Sequence, residues 1–164
     1  MGESFKVGAL RFGAERGIMK QIIGFGGHFM AQVNMITQKL QDLQFFNKLE
    51  KPGQVALENN CSFSVNFTAD NTKCIAKLYQ CVKDKSEDAN HNFFISVEMV
   101  GVFAVEGPVT DEAKKDIHVS CYQQLFPYAE LVAKQTCAMG GMPNFILLRQ
   151  KMDRDNVAIN RKQV

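Results

Sequence analysis

The sequence predicts an α+β domain in which four antiparallel strands precede one long helix. Three observations predict it. Apolar residues recur with a strand-like spacing in four consecutive segments, the connections between these segments are short, and the spacing becomes helical after Gly107-Pro108. Strands that follow one another in this way favour an antiparallel meander with the helix packed on one face of the sheet.

The first two segments differ in how regularly they alternate. The first is irregular, which predicts a strand interrupted by a bulge or a bend; its apolar positions are Val33, Met35, Leu43 and Phe45. Pro52-Gly53 marks a turn. In the second segment, residues 61–67, Cys, Phe and Val alternate with Ser and Asn, so that one face is buried and the other is wet.

The third and fourth segments carry apolar residues on both faces. A tight turn at Asp70-Asn71 leads into residues 72–82, whose two apolar faces are typical of a central strand. Residues 83–92 are polar and are predicted to form a loop. Residues 93–105 are strongly apolar and complete the four-stranded sheet.

The helix prediction rests on one apolar stripe. Thr110 or Asp111 can cap the N-terminus of this helix, and Gly140-Gly141 can end it. Pro127 would kink the helix or begin a second one. The stripe has the i, i+4 spacing of a buried helix face and consists of Ala113, Ile117, Cys121 and Leu125.

These elements divide the chain into three parts. Residues 1–29 contain seven of the 12 glycines and are predicted to be a mobile extension; residues 30–148 form the domain; residues 149–164 form a polar basic tail. The helix covers one sheet face and leaves apolar side chains on the other. A second copy of the chain would cover them, so we expect a homo-oligomer.

Composition excludes several classes of protein. The pI of 8.3 reflects the basic ends of the chain around a mildly acidic body, and aromatic residues do not alternate with a basic stripe, so no nucleic-acid partner is expected. No apolar run reaches about 18 residues, which argues against membrane insertion. The five cysteines form no CxxC pair, which favours a reducing, cytoplasmic location.

No motif in the sequence predicts catalysis, a cofactor or a metal site. Gly24, Gly26 and Gly27 lack the spacing of a dinucleotide-binding loop, and there is no phosphate-binding GK[ST] loop. His118 and Cys121 stand three residues apart on the predicted helix, as a Cys–His pair or half a metal site would. No third ligand lies near them in sequence, and Cys121 belongs to the apolar stripe. A small-ligand or enzymatic domain that uses these two residues remains an alternative.

Two segments match the pattern of a known protein family. They are NFFISVEMVGVFAVEG at residues 92–107, and the LFPYA string at 125–129, which is followed by a Gly-rich stop and Met142-Pro143. Both resemble the SecB family of export chaperones, whose last strand is similar to residues 92–107. A weaker likeness covers QDLQF at 41–45. Together the resemblance spans about residues 30–148.

The resemblance implies an ATP-independent holdase that binds unfolded preproteins for Sec-dependent export. It implies a homotetramer, built as a dimer of dimers, and delivery to the SecA ATPase. The expected client groove is lined by aromatic and apolar side chains, for which we nominate Phe45, Phe46, Leu57 and Tyr128. Helix 110–139 would supply the tetramer interface, for which the candidates are Ile117, Cys121 and Leu125.

Two departures from the family pattern bear on its partners. The C-terminal groove-side segment of the family is replaced by LRQKMD at 148–153, and the acidic, Cys-containing zinc tail gives way to RKQV at 161–164. Docking to SecA would then rely on the mildly negative body of the domain. A SecB-like chaperone dedicated to a single partner, such as an antitoxin, is the alternative that the altered tail favours.

Overall fold

The computed structural model describes residues 30–50, 55–86 and 90–160. Within them the chain forms four strands, one long helix and a 3-10 turn. The strands are β1 Gln32–Asn47, β2 Leu57–Phe67, β3 Lys73–Asp84 and β4 Phe93–Glu106; the helix, α1, is Asp111–Met139, and the 3-10 turn is Arg154–Asn156. The predicted extension at 1–29 and the turn at Pro52-Gly53 lie outside the described residues.

The sheet is antiparallel and four-stranded, as predicted, but β1 does not pair with β2. The strand order is β1-β4-β3-β2, so β2, β3 and β4 form a meander and β1 lies beside β4. The predicted simple meander is therefore wrong for β1. The connection from β1 to β2 is too long for a tight hairpin turn, and β4 offers β1 a strand that is apolar on both faces.

Two bulges on β1 explain its irregular alternation. The register between β1 and β4 shifts between Met35 and Thr37 and again between Leu40 and Asp42. Each shift inserts one residue without a partner and returns the next apolar side chain to the helix side of the sheet. The prediction that the first strand is interrupted by a bulge is confirmed, and the strand contains two bulges.

The helix begins and ends where the sequence predicts. The Thr110 hydroxyl accepts a hydrogen bond from the Ala113 amide at 3.1 Å, and Gly140 and Gly141 end the helix, the latter with a φ of 89°. The helix runs continuously through Pro127, so the predicted second helix does not form. Neighbouring packing holds the helix together across this residue, since Phe126 and Ala129 are both buried.

The helix crosses the sheet diagonally. Near its start the Lys114 ammonium lies 5.7 Å from the Phe67 ring at the end of β2. In its middle, Leu125 packs against Gly101 of β4, and a Cβ on that glycine would lie 3.2 Å from a Leu125 methyl carbon. At its end Gly140 lies against the ring of Phe45, near the end of β1. This path leaves the first half of β2 and the second half of β3 without a helix above them.

Candidate polypeptide-binding surface

Apolar side chains are exposed along a strip between β1 and α1, bounded by the two places where the helix is hydrogen-bonded to that strand. We call it the β1–helix channel and define it by two residues of the strand and two of the helix: Leu40, 43% exposed, Leu43, 38%, Tyr128, 39%, and Leu131, 52%. Uncovered leucine and tyrosine side chains that lie close together are typical of an interaction surface.

Two sets of contacts fix the channel at its ends. At one end the side-chain amide of Gln124 accepts from the Met35 backbone at 3.2 Å and donates to the Val33 carbonyl at 3.0 Å. At the other end the Asn47 amide donates to the Gly140 carbonyl at 2.9 Å. Tyr128 and Leu131 follow Gln124 by one and two helical turns, so they lie on the helix flank that faces β1.

An aromatic depression lies at the end of β1, and its two stacked rings are on the face of the sheet away from the helix. It encloses roughly 900 Å³ and is open to solvent. The rings of Phe46 and Phe94 stack in it at 5.6 Å with 16° between their planes, and the Lys48 ammonium lies 5.2 Å from the Phe46 ring. Phe45 and His91 also line it. A stacked aromatic pair with an adjacent cation can bind side chains of many different shapes.

The structure does not bring the four nominated groove residues together. Phe45 and Tyr128 lie on the helix side of the sheet, whereas Phe46, the next residue along β1, faces the other side. Leu57 lies apart, because it begins β2, which is three strands away from β1 and thus about 14 Å across the sheet. It packs against the core there.

The sequence did not point to Leu40 and Leu131 as surface residues. Leu40 follows a bulge, and the extra residue in the bulge shifts the alternation of side chains. The face on which Leu40 lies therefore cannot be counted from the residues before the bulge. Leu131 follows Pro127, at which the sequence permits either a kink or a second helix, so its face is not fixed by spacing alone. Only the position of the helix over β1 identifies them.

The three interface candidates lie inside the subunit itself. Ile117 is 1% exposed, and Cys121 and Leu125 are fully buried beneath the helix. A second chain cannot reach them unless the helix leaves the sheet, which corrects their assignment. Their i, i+4 stripe is the face by which α1 packs on its own sheet.

His118 and Cys121 do not form a pair. The His118 imidazole meets the Phe63 ring edge-on at 4.8 Å, and burial lowers its pKa. The Cys121 thiol instead lies 3.8 Å from the thiol of Cys74 on β3; this contact, together with burial, raises the pKa of Cys121. A thiol with a raised pKa is a poor nucleophile.

A buried carboxylate supports the aromatic depression. Asp84 is 6% exposed and accepts hydrogen bonds from the backbone of Phe93 at 3.1 Å and of Asn92 at 3.1 Å. Burial alone would raise the pKa of Asp84, but these two amides together outweigh it and hold the pKa below its usual value. The His91 imidazole lies 3.3 Å from the same carboxylate.

The segment after the helix packs on the corner of the sheet that the helix leaves open. We call residues 145–156 the strap. Phe145 and Leu147 are buried in the core, while Ile146 and Leu148 are exposed. Arg154 fastens the far end by donating to the Asp116 carboxylate at 2.7 Å and to that of Glu112 at 2.9 Å.

The described part of the chain contains no cluster of three or more His, Cys, Asp or Glu side chains that could hold a metal ion. Among the same residues there is no helix with the length and hydropathy to cross a bilayer.

Comparison with known families matches the sequence to the family described as preprotein translocase subunit SecB, over residues 28–156. The match covers well over half of the chain. The chain belongs to the SecB family. Membership of this family supports a chaperone role, and it matches the resemblance of residues 92–107 and 125–129 noted from the sequence.

Two bacterial relatives of the SecB family illustrate the degree of similarity. The protein-export protein SecB of Paracoccus denitrificans (strain Pd 1222) is 24% identical over 141 residues, which cover 81% of this chain and 77% of that protein. The protein-export protein SecB of Ruegeria sp. (strain TM1040) is 25% identical over 119 residues, covering 68% and 72%.

A solved structure with the same fold is the SecB-like chaperone Rv1957 of Mycobacterium tuberculosis. It was determined in complex with a ChAD peptide from the HigA1 antitoxin. The two structures superpose with a TM-score of 0.55 at 14% sequence identity, over 73% of this chain and 91% of the other. The predicted SecB-like fold of four antiparallel strands and one long helix is confirmed.

Proposed function

We propose that this protein is an ATP-independent holdase that binds unfolded polypeptide, with preproteins destined for Sec-dependent export as its clients. The observation that carries the proposal is the β1–helix channel. It offers uncovered leucine and tyrosine side chains from both β1 and α1 on the helix side of the sheet. A channel that is apolar and aromatic binds extended chains through side chains of many kinds, which is what an unfolded client presents.

The proposed working form is a cytoplasmic homotetramer. Both β1 and β2 are edge strands of the sheet within the single chain, and β1 is 16 residues long. A long uncovered edge with exposed apolar residues such as Ile36 is a template for pairing with another copy. SecA remains the proposed recipient of the client, through a surface other than a zinc tail.

Suppression of aggregation tests the holdase proposal. A client diluted from denaturant should aggregate more slowly with equimolar protein, in the absence of ATP, and light scattering reports the rate. Leu43→Gln should weaken client binding about five-fold or more, since one apolar wall residue is lost. Lys39→Gln on the same strand is the matched control and should bind as the wild type does. An unchanged aggregation rate with the wild-type protein would overturn the proposal.

A chaperone dedicated to one partner is the second candidate. Its support is the likeness to a SecB-like chaperone solved with an antitoxin peptide. A general holdase should protect several unrelated unfolded clients with affinities within about tenfold of one another. Protection of a single client, with the others aggregating freely, would favour the dedicated role.

A further inference from the structure

Two cysteine thiols meet in the core between the helix and the sheet. The Sγ atom of Cys74 on β3 lies 3.8 Å from the Sγ atom of Cys121 on α1, and both side chains are fully buried. All five cysteines of the chain are free thiols and lie within the described residues. Two sulfur atoms in contact differ from two separate core cysteines, because they are already near the positions that a disulfide requires.

The two thiols connect parts of the chain that are distant in sequence. Cys74 stands near the start of β3, where it pairs with Phe67 of β2 and with Phe103 of β4. Cys121 belongs to the buried face of α1, about one helical turn before Leu125. The two residues are 47 positions apart, so a bond between them would fix the first half of the helix to a central strand of the sheet.

A disulfide requires only a small movement of this pair. Its S–S bond is about 2.05 Å long, so each sulfur must approach the other by roughly 1 Å. Rotation of the two side chains, with a small shift of the helix, supplies this movement. Two other cysteines are placed differently, since Cys81 lies on the opposite face of β3 and Cys137 lies more than four helical turns beyond Cys121.

The contact makes the two thiols chemically different. A hydrogen bond from the Cys121 thiol lowers the pKa of Cys74, whereas the same contact, together with burial, raises the pKa of Cys121. Cys74 is therefore the sulfur that more readily becomes a thiolate, which is the form that reacts with oxidants. Once Cys74 is oxidised it no longer accepts this hydrogen bond as an anion, and the main cause that holds the proton on Cys121 is removed.

We propose that Cys74 and Cys121 form a reversible disulfide when the protein meets hydrogen peroxide, and that this bond fixes α1 to the sheet. The Cys74 thiolate attacks one peroxide oxygen and becomes a sulfenic acid, while the released hydroxide takes up the proton that Cys74 had lost. The Cys121 sulfur then attacks the sulfenic sulfur, and its proton leaves with the hydroxyl group as water. In sum, two thiols and one hydrogen peroxide give one disulfide and two water molecules.

The oxidant must be small because the pair is buried. Hydrogen peroxide is little larger than water and can reach the core during local opening, whereas a bulky disulfide reagent cannot. The resulting cross-link spans 47 residues and restricts the unfolded chain more than the folded one, so it stabilises the fold. One consequence rests on the proposed holdase function: a chaperone that peroxide stabilises stays folded under the stress that unfolds its clients. The disulfide itself does not depend on that function.

Peroxide treatment of the wild-type protein tests the proposal without relying on any variant to fold. After the protein is unfolded, its free thiols blocked and the chain digested, mass spectrometry should find one peptide pair joined through Cys74 and Cys121. This pair should be lighter than the two reduced peptides by two hydrogen atoms, and dithiothreitol should separate it. We expect the Tm to rise by about 5–10 °C on oxidation and to return to its starting value on reduction.

Two variants identify the pair. Cys121→Ala should lose both the joined peptides and the rise in Tm, whereas Cys81→Ala, on the other face of β3, is the matched control and should keep both. The proposal is overturned if peroxide leaves the two thiols free to be blocked, if it joins a different pair of cysteines, or if the joined protein has an unchanged Tm. No client takes part in these measurements, so each of those results leaves the holdase function standing, and the aggregation assay tests that function separately.

Discussion

The carboxylate of Asp84 holds the turn between β3 and β4 from inside the protein. It is buried and satisfies two consecutive backbone amides, those of Asn92 and Phe93, so a single side chain closes the end of the sheet next to the aromatic depression. If the carboxylate were removed, these amides would be buried without a hydrogen-bond partner. The free-energy cost of a buried unpaired amide is larger than the net stabilisation that one hydrogen bond provides.

Asp84→Ala should therefore lower the free energy of unfolding by about 2–3 kcal/mol. Urea denaturation measures the change. Glu58→Ala is the control, because the Glu58 carboxylate makes an exposed 4.0 Å pair with Lys83 and its loss should cost less than about 0.5 kcal/mol. Equal, small losses for both variants would show that Asp84 is not the anchor described here.

His118 makes the stability depend on pH. Burial against Phe63 lowers its pKa in the folded state, so the unfolded chain binds the proton more readily. Above pH about 6.5, the pKa of histidine in the unfolded chain, neutral His118 does not reduce the free energy of unfolding. As the pH falls below that value, the unfolded chain takes up the proton and the free energy of unfolding decreases. The Tm should decline from pH 7.5 to 5.5, and His118→Gln should flatten this decline. An unchanged slope in the variant would place the pH dependence elsewhere, and His91→Gln tests the other described histidine.

At the scale of elements, the end of the helix is locked to β1 by a glycine. A Cβ at Gly140 would collide with the ring of Phe45. The close approach of α1 to β1 is therefore possible only because residue 140 has no side chain. This contact sets the width of the β1–helix channel at its far end. The adjacent hydrogen bond from Asn47 to the Gly140 carbonyl adds to it.

Gly140→Ala should destabilise the fold by about 1–3 kcal/mol, the usual cost of overpacking. In a Phe45→Leu background the same substitution should cost less, because the smaller side chain removes the collision. Thermal unfolding of the four proteins in this double-mutant cycle measures the coupling. Additive effects would show that Gly140 is needed for another reason.

At the scale of the whole molecule, the single chain leaves several apolar surfaces uncovered. Besides the β1–helix channel, the outer sheet face exposes Ile75 and Tyr79, each 39% exposed. The edge of β1 presents Ile36, which is 54% exposed at a bulge. Assembly through that edge would extend the sheet into the next subunit.

Light scattering should give a mass four times the 18.4 kDa of one chain. Ile36→Lys should reduce this mass, since a charge on the edge opposes strand pairing. Ile75→Lys should also reduce it, because a second copy of the chain is expected to cover the apolar outer face. The Tm of the wild type should rise with protein concentration. A monomer at all concentrations would contradict the assembly, and an unchanged mass for one variant would show that its surface is not an interface.

The sequence by itself determined the four strands, the long helix and its caps, because each depends on local spacing. The alternation at 61–67, the Thr110 cap and the double glycine at 140–141 act within a few residues, and all three hold in the structure. The strings at 92–107 and 125–129 also led to the SecB family, to which the chain belongs.

Only the tertiary structure decided where these elements meet. The pairing of β1 with β4, the burial of Ile117, Cys121 and Leu125 within one subunit, and the position of α1 over β1 depend on contacts between residues far apart in sequence. The same is true of Gln80, a polar residue in the sequence that the fold buries almost completely. Periodicity specifies the face of an element but not its neighbour, and the neighbours make the binding surface.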